Sequence, residues 1–165
     1  MDFPSTIDLH PIGVIRSPYQ EPSRTPIQPV AARNTAGTVE VFPEFAEGLR
    51  DLEGFSHVML LYYFHRSRKC SLLVTPYLDD EARGVFATRA PSRPNAIGVS
   101  IVRLVSVEGN TLAVKDLDVL DGTPLLDIKP HVEGFHVHGK QRLGWLGPRM
   151  AAARGKKGDE RFSGK

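Results

Sequence analysis

The longest unbroken apolar run in this chain, residues 58–64, is seven residues long, and all the others are shorter. Fifteen glycines and 13 prolines punctuate the sequence, leaving few windows that could hold a long helix. Short runs rich in Val and Ile, bounded by Gly, Pro, Asn or Asp, read as strands. The spacing predicts strands over residues 12–15, 37–42, 57–64, 72–74, 84–88, 98–107, 111–117 and 125–128. Residues 37–42 alternate as a half-buried strand does, whereas 57–64 is apolar throughout and predicts a central strand covered on both faces. Glu108-Gly109-Asn110 predicts a hairpin turn. Only residues 43–52 read as a helix, with Pro43 at its first position and Phe45, Leu49 and Leu52 three or four apart. About eight short strands argue for an all-β barrel or sandwich, closed to remove its edges. Residues 17–34 hold Pro18, Pro22, Pro26 and Pro29, and form the long proline-rich loop.

A chain of 165 residues fits one domain and can bury a core without staples. Cys70 is its one cysteine, which excludes an internal disulfide framework and any multi-cysteine zinc site. No apolar run approaches the ~20 residues of a membrane helix. Met1-Asp2-Phe3-Pro4-Ser5 does not look like a signal peptide, so a cytoplasmic location is expected. Residues 149–165 carry six Lys or Arg against two acids, while 1–148 carry 15 against 17. The expected division is a barrel domain over 1–148 and a basic, flexible tail over 149–165 that attracts a polyanion without shaping the ligand pocket.

Dinucleotide, P-loop and nucleophile-elbow motifs are absent from the sequence. His136 and His138, with His131 nearby, read more readily as same-face strand residues than as metal ligands, and no metal is expected. Two segments stand out. Phe86 to Gly98 places Arg89, Arg93, Pro91, Pro94 and Asn95 directly after an apolar strand. Proline pre-orders such a loop, and the arginine fork suits carboxylate or phosphate. The other reading is a surface loop with solvated arginines. Asp116, Asp118 and Asp121 alternate with apolar residues before Gly122-Thr123-Pro124, where Gly122 permits a positive φ. These carboxylates suit a cation or hydrogen-bond donors, or simply a turn. His65-Arg66 closes the most apolar strand, where a barrel presents polar groups at its mouth. Together these pieces describe a pocket carrying both signs of charge, suited to a zwitterion.

The same residues carry a resemblance. Ile12-Gly13-Val14-Ile15-Arg16-Ser17-Pro18-Tyr19, Gly54-Phe55-Ser56-His57, Phe64-His65-Arg66 and Gly84-Val85-Phe86-Ala87-Thr88-Arg89 occur in order. Arg93-Pro94-Asn95-x-Ile97-Gly98, Leu120-Asp121-Gly122-Thr123-Pro124 and Asp127-Ile128-Lys129-Pro130 follow. Over about residues 10–131 the chain resembles the TrmO, or TsaA-like, family. The resemblance implies a single-sheeted β-barrel, S-adenosylmethionine as cofactor, a homodimer, and N6-methylation of threonylcarbamoyladenosine in the tRNA anticodon loop. Carried over by motif, cofactor contacts fall on Gln28 and Pro29, His65 and Arg66, Arg89, and Leu120, Asp121, Gly122 and Thr123. The family's Pro-Arg-Gln-Pro loop reads Pro26-Ile27-Gln28-Pro29 here, one arginine fewer. Asp121 or Asp118 would suit the cofactor's ammonium or sulfonium. Asp121 and His65 are the candidates for handling the acceptor's proton. Arg66, Arg68, Lys69, Arg93 and Asn95 are the candidates for holding the RNA. A small-molecule methyltransferase and a non-catalytic cofactor- or RNA-binding module are the competing readings.

Overall fold

Strand pairing in the computed structural model closes on itself, so the main sheet has no free edge. The structure describes residues 4–26, 32–67, 69–133, 142–155, 159 and 162. Its strands are β1 (Gly13–Arg16), β2 (Ala36–Val41), β3 (His57–Tyr63), β4 (Leu73–Val74), β5 (Arg83–Gly84), β6 (Ile97–Glu108), β7 (Thr111–Lys115) and β8 (Thr123–Pro130). Six of them form a closed antiparallel barrel in the order β1-β2-β7-β6-β3-β8, with β8 returning to β1. Closure removes the unpaired backbone groups that an open sheet would expose. Glu108-Gly109-Asn110 makes the β6–β7 hairpin, with Gly109 at φ 61°.

Side-chain alternation sends every second residue inward. Ile15, Val39, Val41, Val58, Leu60, Val102, Leu112, Val114 and Leu125 are all buried and form one core. Each contributes about 1.5–3 kcal/mol on burial. Leu117 and Val119, from the segment after β7, close one end, and Leu49 packs into the same core.

The strand predicted over 57–64 forms, but it is not covered on both faces. Val58, Leu60 and Tyr62 are buried, Met59 and Leu61 are half-buried and Tyr63 is exposed. A single closed sheet has one interior, so the apolar residues of the other face lie on the barrel's outside. The predicted helix over 43–52 is instead two 3₁₀ segments, Pro43–Leu49 and Leu52–Gly54. Phe45 N donates to Phe42 O and Arg50 N to Glu47 O, and Asp51 breaks the run at φ 66°. So short a piece gains little from α-helical nucleation.

Residues 84–88 are also not a strand. Only Arg83–Gly84 pairs, with β4, and Val85–Ala87 then turns as a 3₁₀ helix. The Thr88 hydroxyl and the Arg93 guanidinium both donate to Val85 O, drawing the segment into a turn. This small lobe, inserted between β3 and β6, has its own apolar cluster of Val74, Val85 and Ala90, with Phe162 packed against it. The chain's basic end therefore meets the lobe beyond residue 148. Arg149 pairs with Asp79 at 2.8 Å, and Tyr77 Oη donates to Asp159 O at 3.3 Å. Among the described residues no helix is long and apolar enough to cross a membrane.

Candidate active site

Between the barrel mouth and the inserted lobe lies a cavity of about 620 Å³. The barrel contributes Tyr62, Gly98 and Asp118 to its wall, the lobe Phe86 and Arg89, and the chain's end Trp145 and Phe162. Such a volume suits a ligand of cofactor size. Trp145 is held there by an Nε1–H bond to Ala87 O at 2.8 Å.

A polar relay runs into the cavity from the core. Tyr62 on β3 and Ser100 on β6 are diagonal neighbours, their hydroxyls 3.0 Å apart, and Ser100 Oγ donates to Asp118 Oδ1 at 2.6 Å. Because the Ser100 proton goes to the carboxylate, Tyr62 must donate to Ser100. Gly98 pairs with Tyr62 in register, and the Tyr62 ring fills the space a Cβ on Gly98 would take. Glycine at this position therefore lets the ring lie across β6. Burial raises the Asp118 carboxyl to about 6, against the pull of the Ser100 bond, the Arg89 charge and its own backbone N–H. Burial and the Asp118 charge also push the Tyr62 phenol above its usual value, keeping it a donor.

The three alternating acids separate into different tasks. Asp116 adopts φ 66°, accepts from Asn34 N at 2.7 Å and pairs with Arg103 at 3.5 Å. Asp121, expected to be catalytic, accepts from Ser17 N at 3.0 Å and does not line the cavity. Its neighbour Gly122 takes the expected positive φ, 73°. Asp118 alone of the three reaches the cavity wall.

His65, Arg66, Leu120 and Thr123 do line the cavity. Thr123 Oγ1 donates to Leu120 O at 2.7 Å and lies 3.3 Å from His65 Nδ1. With the threonine proton committed, His65 Nδ1–H donates to Thr123 and Nε2 is left as an acceptor. Burial and the Arg66 charge hold the imidazole below its ordinary pKa, with Asp121 opposing, so the ring is neutral at pH 7.

Arg89 lines the cavity and donates to Val99 O. Arg93, expected at the RNA, also lines it, but its Nη1 is tied to Val85 O, Thr88 O and Ala90 O. Its guanidinium also sits 5.8 Å from the Phe86 ring centroid. Lys69 and Asn95 are exposed and outside the wall. Gln28, Pro29, Arg68, His136 and His138 lie outside the described residues. No group of metal-binding side chains occurs among the described residues.

Sequence reasoning passed over Tyr62, Ser100, Trp145 and Phe162. Ser100 had a signal: a polar residue at an inward position of the apolar stretch Gly98 to Val102. Trp145 and Phe162 had none, because nothing in the sequence says that these two residues meet the lobe.

Comparisons with known proteins agree with one another. Residues 14–137 match the model of the tRNA-methyltransferase O N-terminal domain. A probable S-adenosyl-L-methionine-binding protein of Pyrococcus abyssi is 54% identical over 98% of this chain and 88% of its own length. The tRNA (adenine(37)-N6)-methyltransferase of Escherichia coli is 40% identical over 78% of this chain and 59% of its own length. A crystal structure of TrmO superposes with a TM-score of 0.73 at 45% identity, covering 84% of this chain. TrmO from Pseudomonas aeruginosa gives 0.71 at 42% identity and 85%. This chain spans 64% and 62% of those two structures.

Proposed function

Because this chain belongs to the tRNA-methyltransferase O family, we propose that it is an S-adenosylmethionine-dependent methyltransferase acting on N6 of threonylcarbamoyladenosine beside the tRNA anticodon. The observation that carries this reading is a cavity of cofactor size with Arg66 and Arg89 on its wall. A zwitterionic cofactor needs a guanidinium for its carboxylate, and these two line the cavity. Phe86, Leu120 and Trp145 add the apolar surface that a purine ring requires. Bound S-adenosylmethionine supplies a sulfonium methyl group: the nitrogen lone pair forms the new N–C bond, and the C–S pair stays on sulfur.

The chain's own residues have three tasks. They hold the carboxylate through Arg66 or Arg89. They bring the acceptor nitrogen into line, an entropic gain of several kcal/mol. They offer acceptors to the proton that leaves it, and neutral His65 is one candidate through Nε2. Exposed Lys69, Arg66 and the basic end of the chain supply the phosphate contacts of the tRNA. A tRNA substrate and the exposed free thiol of Cys70 both suit the cytoplasm.

The homodimer belongs to the same proposal. Met59, Leu61 and Tyr63 on the outer face of β3 lie beside Ile101, Val99 and Ile97 of β6. Tyr63 and Ile101 are 44% and 37% exposed, forming an apolar stripe that a second copy would cover. Light scattering at micromolar concentration should find a dimer, and a monomer would overturn this part.

The function itself is tested with labelled cofactor and total tRNA, prepared with and without the threonylcarbamoyl modification. Label should enter only the modified pool, at N6. Label in metabolite extracts but in neither tRNA pool would support a small-molecule methyltransferase. Binding without transfer would support a non-catalytic module.

A further inference from the structure

We infer that Asp118, held by the Tyr62–Ser100 relay, is the catalytic proton acceptor of this site. The inference rests on the methyl-transfer reading above and adds to it the residue that takes the proton. A nitrogen that gains a methyl while keeping its hydrogen becomes a cation, so the N–H proton must leave for the product to be neutral. The N–H electron pair stays on nitrogen, and Asp118 passes from carboxylate to carboxylic acid. The acid returns its proton to water between turnovers.

Geometry separates Asp118 from the other acids of its segment. Asp116 is tied to Asn34 and Arg103, and Asp121 to Ser17. Asp118 lines the cavity, and among the described residues no basic side chain lies within ion-pair distance of it. The relay enters from the barrel core. Buried Ser100 is 2.6 Å from Asp118 Oδ1, and buried Tyr62 backs Ser100 at 3.0 Å. Two hydroxyls in series fix the carboxyl without neutralising it, as an orienting group does for a base.

The groups facing Asp118 come from three other places in the fold. Tyr62 on β3 and Ser100 on β6 supply the relay, and Arg89 on the lobe loop supplies a positive charge. This carboxyl lies near 6, where a group both accepts and releases a proton in neutral solution.

The test uses the full chain, its modified tRNA substrate and S-adenosylmethionine. Single-turnover methyl transfer is measured from pH 5 to 9, cofactor affinity by calorimetry, and folding by circular dichroism. Asp118→Asn should lower the transfer rate about 100-fold or more while the cofactor Kd stays within about threefold. Ser100→Ala should stay active and move the acid limb of the wild-type profile to higher pH, because it removes a bond that favours the carboxylate. Tyr62→Phe should move the limb the same way by less. Two results overturn the inference: an Asp118→Asn variant that transfers methyl at the wild-type rate, or one that loses cofactor affinity in proportion to rate. If Asp118→Asn fails to fold, an unmoved limb in Ser100→Ala overturns it instead. A wild type that methylates no tRNA overturns the functional reading, and this assignment with it. An active wild type with an active Asn variant overturns this assignment alone.

Discussion

Asp118 connects stability to function, because the environment that makes it a proton acceptor also charges the fold for its ionised form. A carboxyl raised in the native state binds more protons there than in the unfolded chain between about pH 4 and 6. Stability therefore falls as pH rises through that window and stays lowered above it. The displacement from 3.8 to about 6 amounts to about 3 kcal/mol. Asparagine has no charge at any pH and keeps an oxygen to accept from Ser100. Relative to wild type, Asp118→Asn should thus gain about 2.4 kcal/mol between pH 4 and pH 7, read from urea melts at both. A stability difference that does not change with pH would mean that the carboxyl is solvated in the folded protein. Neighbouring Tyr62 adds no slope below about pH 8, since its phenol stays protonated in both states there.

At the scale of the element, the segment from Asp116 to Thr123 shows where reading a sequence succeeds and where it stops. Strands β1, β2, β3, β6, β7 and β8 were legible as short apolar runs bounded by turn residues, and β2 also by its period of two. The pieces that misled were those whose hydrogen bonds come from distant chain. Residues 84–88 look like a strand, but Arg93 turns them. Asp116, Asp118 and Asp121 look equivalent, but only the first two are spaced to share a strand face, and the left-handed backbone at Asp116 breaks that alternation. Asp121 shows the limit: the Asp-Gly-Thr-Pro turn was recognisable, but not that its carboxylate would accept from Ser17 N while its charge reaches His65 at the cavity wall. Its role can be separated by two substitutions. Asp121→Ala loses the acceptor for Ser17 N and should cost about 1 kcal/mol in thermal melts. Asp121→Asn keeps an acceptor and should recover most of that, with methyl transfer near the wild-type rate. Loss of transfer in Asp121→Asn with stability intact would return Asp121 to the chemistry.

For the whole molecule, the decisive contacts join Trp145, Arg149, Asp159 and Phe162 to the inserted lobe. The sequence expectation was a basic end that attracts RNA and leaves the pocket alone. Within that stretch Phe162 lines the cavity, beside Trp145 just before it, and the Phe162 ring packs edge-on against Tyr77, with centroids 5.0 Å apart. Arg149 reaches the Asp79 carboxyl, which has no exposed surface and also holds Arg83 at 2.8 Å. Burial alone would raise that carboxyl, but Arg83, the N–H groups of Glu81 and Asp80, and Arg149 outweigh it and hold it below its usual range. Arg149, Asp159 and Phe162 thus meet the lobe, in a stretch that carries six Lys or Arg. Removing residues 149–165 should act in two separable ways. Loss of Arg149 and Phe162 loosens the lobe that positions Arg89, and cofactor affinity should fall about tenfold, roughly 1.4 kcal/mol. Loss of six cationic side chains should weaken tRNA binding and flatten its salt dependence, by about 0.7–0.9 in slope for each phosphate contact removed. Arg149→Ala tells the two apart, since it removes the Asp79 contact and one charge only. It should reproduce part of the loss in cofactor affinity and almost none of the change in salt slope. Cofactor affinity that survives the truncation would show that the lobe holds its shape without the chain's end.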